Sequence, residues 1–92
     1  MIRSFRNKPL GVFASTGDAR KLPVRDSAVR KLARQLALLN AAIQPEDMNL
    51  PGFYFHSLKG EERWSVRITA NYRLTFGWLE PDAIDLDIED YH

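Results

Sequence analysis

Two hydrophobic periods divide the chain. Before residue 44 the apolar residues recur at steps of three and four, and after Gly52 they alternate with polar ones. Val29, Leu32, Leu36, Leu39 and Ile43 fall on one stripe of a helix, with Arg30, Lys31, Arg34 and Gln35 between them, which predicts a helix from Pro23 to Ile43. A shorter helix is predicted to start at Asn7-Lys8-Pro9-Leu10, because Asn caps well and Pro is tolerated in a first turn. Leu10, Val12 and Phe13 supply its apolar side, and Ser15-Thr16-Gly17-Asp18 ends it. Met1 to Phe5 reads as a short strand, and Pro45-Glu46-Asp47 with Pro51-Gly52 reads as a loop.

Beyond that loop the pattern is that of strands. Phe53-Tyr54-Phe55-His56 is a short apolar run, followed by a turn at Lys59-Gly60-Glu61-Glu62. Trp64, Val66 and Ile68 alternate with Ser65, Arg67 and Thr69; Tyr72, Leu74, Phe76 and Trp78 alternate with Arg73, Thr75 and Gly77. Ile84, Leu86 and Ile88 alternate with Asp85, Asp87 and Glu89 after a turn at Glu80-Pro81-Asp82. Strands joined by turns this short are antiparallel neighbours. The expected fold is α+β: two N-terminal helices on one face of a twisted, mainly antiparallel sheet. The other face would display His56, Arg67, Arg73, Thr75 and the acids of the last strand.

Length and composition narrow the setting. Ninety-two residues suit a single domain spanning 1–92. There are no cysteines, so neither a disulfide framework nor a thiol nucleophile is available. No apolar run nears the roughly 20 residues of a membrane span, and Met1-Ile2-Arg3-Ser4-Phe5-Arg6 has no signal-peptide character, so a cytoplasmic protein is expected. The net charge of +1 conceals an asymmetry. Residues 1–44 hold nine Lys/Arg and two acids, for +7; residues 45–92 hold four and ten, for −6. A basic half suits a polyanion such as RNA, and Arg20 and Lys21 are its expected RNA contacts.

The residues able to move protons are few. His56 and His92 are the two histidines, and histidine titrates near neutral pH. The last strand runs into Asp90-Tyr91-His92, so His92 is expected close to ordered sheet rather than in a frayed end. A Tyr-His pair at a sheet edge could serve RNA cleavage, one group taking the 2′-OH proton and another protonating the leaving 5′-oxygen. Lys59 and Arg73 would stabilise the charge developing on phosphorus, with Arg67 a supporting RNA contact. There is no Walker loop, no GxGxxG and no zinc-ligand spacing, so neither cofactor nor metal is expected. Asp85, Asp87, Glu89 and Asp90 read as a solvated strand face.

Several segments together resemble a known family. Phe55-His56-Ser57-Leu58-Lys59-Gly60, Trp64-Ser65-Val66, Asn71-Tyr72-Arg73-Leu74-Thr75-Phe76 and Glu89-Asp90-Tyr91-His92 are similar to the HigB toxins, the plasmid-maintenance killer group of the RelE/ParE superfamily. The resemblance covers essentially the whole chain. It implies a RelE-like fold and the toxin of a type II toxin–antitoxin pair, which enters the ribosomal A site and cuts mRNA there. It implies a HigA-like, helix-turn-helix antitoxin, with operator DNA bound only through that partner. Carried over by position, the catalytic basic residues fall on His56, Lys59 and Arg73, and the C-terminal catalytic group on Asp90, Tyr91 and His92. Two other readings stay open: a ParE-like toxin that poisons gyrase without cutting RNA, and an inactive co-repressor partner of the antitoxin.

Overall fold

The structure is a computed structural model, and it describes residues 1–91. Helix α1 spans Lys8–Thr16 and α2 spans Ser27–Ala41; a 3-10 turn follows at Pro45–Met48. Strands β1 (His56–Leu58), β2 (Arg63–Arg67), β3 (Tyr72–Leu79) and β4 (Asp82–Asp90) form an antiparallel sheet in that order. The α+β architecture expected from the two periods is the one observed.

Local chemistry explains where the helices begin and end. The Asn7 side chain accepts the Leu10 N–H at 2.9 Å, and Gly17, at φ 81°, returns its N–H to the Phe13 carbonyl. Helix α2 begins only at Ser27, four residues later than its stripe suggested, because Asp26 has a positive φ of 56°. It also stops before Ile43, which is 75% exposed; the core stripe is Leu32, Leu36 and Leu39, with Ala42 closing it. Leu10 and Phe13 of α1 and the stripe of α2 share one core with Val66, Leu74, Phe76 and Leu86 of the sheet. Gln35, expected on the polar side, is fully buried and donates Nε2 to the Arg67 carbonyl at 2.8 Å, tying α2 to the end of β2.

Three departures from simple alternation shape the opposite face. The run from Phe53 becomes strand only at His56, because Tyr54 has a φ of 49°. In β4 a bulge lies where Thr75 pairs with Asp87 but Gly77 pairs with Ile84, so β4 spends one residue more than β3. Asp85, at φ 52°, sits in that bulge; Ala83 and Leu86 turn to the core, and Ile84 turns to the polar face instead of the expected core. Ile84 then lies over Gly77, where a Cβ would come within 3.2 Å of it. The opening segment pairs parallel with β4 through isolated bridges, Ile2 with Ala83 and Phe5 with Leu86.

Candidate RNA-cleavage site

The register lays out the polar face as rows running across the strands. One row is Leu58, Arg63 and Gly77; the next is His56, Ser65, Thr75 and Asp87; the third is Arg67, Arg73 and Glu89. Alternation carries Tyr91, two residues past Glu89, to the same side, and its N–H bonds the Asn71 carbonyl at 2.8 Å. Of the four Lys/Arg after residue 44, three are therefore arginines on this one face.

Rings and guanidinium groups stack in a column at the third row. The Arg67 guanidinium lies 4.1 Å from the centre of the Tyr54 ring and 5.3 Å from that of Tyr91. Arg73 lies 5.3 Å from the Tyr91 ring. The order is thus Tyr54, Arg67, Tyr91, Arg73. Each such contact contributes about 0.5–2 kcal/mol, more as water is excluded. It also holds two long cationic side chains in fixed planes, which lowers the entropy cost of gripping an anion.

A buried polar chain supports the column from beneath. Arg63, 7% exposed, donates Nη2 to Thr75 Oγ1 at 3.0 Å and to the Asp85 carbonyl at 2.9 Å. The Thr75 hydroxyl, fully buried, donates to Glu89 Oε2 at 2.6 Å. Glu89 Oε1 lies 3.7 Å from Arg73 Nη2. Burial pushes the Arg63 pKa down and Arg6 adds to this, while Glu89, Asp85 and Asp87 favour the charged form. Lys31 of α2, which donates to the Gly52 carbonyl, also has its pKa lowered, by burial first and then by the charge of Arg67. The Nε groups of Arg63, Arg67 and Arg73 are buried and unpartnered among the described residues. The face is therefore rich in donors and short of acceptors, a balance that an anionic ligand corrects.

His56 is oriented by the backbone. Its Nδ1 lies 2.7 Å from the Tyr54 carbonyl. A carbonyl can only accept, so Nδ1 carries the hydrogen and the neutral ring presents the Nε2 lone pair as a base. The positive φ of Tyr54 thus serves two ends, aiming its carbonyl at His56 and its ring at Arg67. A bulky residue in that region is strained, at about 1–3 kcal/mol, and such strain gathers at functional sites.

The other expected site residues are distributed less tightly. Lys59 is exposed in the β1–β2 turn, where Gly60 takes a φ of 78°. That turn adjoins Arg63, four residues from Arg67 along β2, or about 13 Å. The structure therefore separates Lys59 from the Arg67–Tyr91–Arg73 column. Asp90 pairs with Tyr72, which puts it on the alternate side of β4 from Glu89. His92 lies outside the described residues. Arg20 and Lys21 lie in the connection between α1 and α2. Arg20 is engaged there by Asp18, through Nε at 3.0 Å and Nη2 at 2.8 Å, and this pairing lowers the Asp18 pKa to about 2. Tyr54, Arg63 and Glu89 are residues of this candidate site that sequence reasoning missed. Arg63 was in phase with Ser65 and Arg67 and could have been found; the turn at Tyr54 left no signal.

The family model described as the RelE-like toxin of the type II toxin-antitoxin system HigB matches residues 3–92. The chain belongs to the HigB-like toxin family. Its relatives include Endoribonuclease HigB of Proteus vulgaris, 33% identical over 94 residues with all of both chains covered. Another is Toxin HigB-1 of Vibrio cholerae serotype O1, 31% identical over 94 residues, covering 99% of this chain and 98% of the relative. As the toxin of a type II system, a HigB-like protein has an antitoxin for its partner. No helix among the described residues is long and apolar enough to cross a membrane.

Proposed function

We propose that this chain is an endoribonuclease that acts in the cytoplasm on mRNA in the ribosomal A site. The observation that carries the reading is the column of Arg67, Tyr91 and Arg73 beside an oriented His56, in a chain of the HigB-like family. Cleavage runs through attack of a 2′-OH on the adjacent phosphorus. His56 and His92 divide the proton transfers: one takes the 2′-OH proton, and the other protonates the 5′-oxygen as its bond to phosphorus breaks. Arg73, backed by Glu89, faces the charge that develops on the phosphoryl oxygens, and Arg67 adds to it. Tyr91, held between Arg67 and Arg73, orients the A-site nucleotide through those two cations, and Asp90 positions the strand end. Lys59, at the turn, holds an adjoining phosphate. Arg20 and Lys21 make outer contacts with RNA. A HigA-like antitoxin with a helix-turn-helix domain silences the toxin, and the pair binds operator DNA through that domain.

The test is to induce the chain without its antitoxin and map mRNA 5′ ends. Cuts in phase with codons are expected, and a stably folded His92→Ala variant should abolish both cuts and growth arrest. A DNA-damage response without mRNA cuts would overturn the reading in favour of gyrase binding.

A further inference from the structure

Tyr54 stands at the open end of the stacked column. Its ring rests on the Arg67 guanidinium at 4.1 Å, yet the residue is 56% exposed. An aromatic ring that exposed is ordinarily mobile, but this one rests against a cation that also lies 5.3 Å from the Tyr91 ring. The backbone that presents it has a φ of 49°, and its carbonyl is held by His56 at 2.7 Å. The same backbone turn thus presents the ring to Arg67 and the carbonyl to His56. Both Tyr residues flank Arg67, so a strand of RNA whose phosphate meets Arg67 carries its next base toward the Tyr54 ring.

We propose that Tyr54, seated on Arg67, is a base-stacking platform for a nucleotide next to the one cleaved. This inference rests on the endoribonuclease reading above. Every base has a π-face, so the platform adds affinity without reading sequence. It acts on ground-state and transition-state binding alike, so it lowers KM and leaves kcat nearly unchanged. Nothing in it requires the tyrosine hydroxyl.

The test uses the full chain with Tyr54→Phe, Tyr54→Leu and Tyr54→Ala. The binding probe is a single-stranded 2′-O-methyl RNA, which resists cleavage, carrying 2-aminopurine beside the scissile position. Stacking quenches its fluorescence. Tyr54→Phe should keep the quench and the affinity. Tyr54→Leu and Tyr54→Ala should lose the quench and bind about 5- to 150-fold more weakly, as expected for one lost base stack. In cleavage of mRNA on programmed ribosomes the same two variants should raise KM by a similar factor and change kcat by less than about threefold. If the wild type quenches the probe no better than Tyr54→Ala, or if Leu serves as well as Phe, the platform is refuted. If the wild type quenches the probe but no RNA is ever cut, the platform stands and the nuclease reading fails.

Discussion

Glu89 holds the buried Thr75 hydroxyl with one carboxylate oxygen and faces Arg73 with the other. Replacing it with Gln keeps an acceptor for Thr75 but removes the charge that aligns Arg73. Glu89→Gln is expected to lower the cleavage rate about tenfold, a loss of roughly 1.4 kcal/mol in the transition state. Its melting temperature should barely move, since a half-exposed ion pair contributes about 0–1 kcal/mol. A variant that cuts at the wild-type rate would detach Glu89 from the site. Arg73→Lys tests the stacked plane itself. Lysine keeps the charge but offers neither a flat face to Tyr91 nor a fork to a phosphate. Single-turnover rates on mRNA should fall about a hundredfold, on the scale of losing one preorganised donor to a developing charge.

The elements that carry these residues were largely visible in the pattern of the chain. Helix α1 is a case where local chemistry suffices: Asn7 caps it and Gly17 ends it. Asn7→Ala should cost about 1 kcal/mol, lowering the melting temperature by about 4–8 °C in thermal unfolding. The period-two stretches likewise announced β2 and β3, and with them the placement of Arg67 and Arg73 on one face. The failures have a common cause, which is a backbone leaving the regular form without a glycine to mark it. Asp26, Tyr54 and Asp85 all take positive φ, and each displaced an expectation. Asp26 delayed α2. Tyr54 turned an apparent strand into a shelf. Asp85 made the bulge that sends Ile84 across the sheet and brings its own carbonyl to Arg63. Periodicity shows which residues share a face but not which rows they occupy. The distance between Lys59 and Arg73 was therefore not legible, and the turn stands two rows from the arginine column.

Across the whole molecule, the first and last elements are bound to each other by charge as well as by pairing. Asp82, at the start of β4, meets the Met1 ammonium at 3.3 Å and Arg3 Nη2 at 2.5 Å. Burial works against its ionisation, but the hydrogen bonds and charges of Arg3 and the N-terminus outweigh this, and its pKa lies below the ordinary 3.8. A carboxylate lowered in this way contributes stability that is complete above pH 3.8 and fades as pH falls through its folded value. The melting temperature of the wild type should therefore decline on acidification below about pH 4. Asp82→Asn should be less stable at pH 7, and the gap between the two should narrow towards pH 2. A gap that stays constant across that range would mean Asp82 acts through shape rather than charge.

The parallel pairing of residues 2–5 with β4 also sets an order of events in time. The Ser4 and Asp85 partners lie 81 residues apart in the chain, and Arg3 and Asp82 lie 79 apart. During synthesis the opening segment leaves the exit tunnel long before the strand it pairs with has been made. The contacts of greatest sequence separation form last, because their loop-closure cost must be met before they contribute anything. The same late strand holds Glu89 and leads to Tyr91, so the arginine column has no scaffold until it arrives. The site is therefore assembled only after the last strand of the chain has been made.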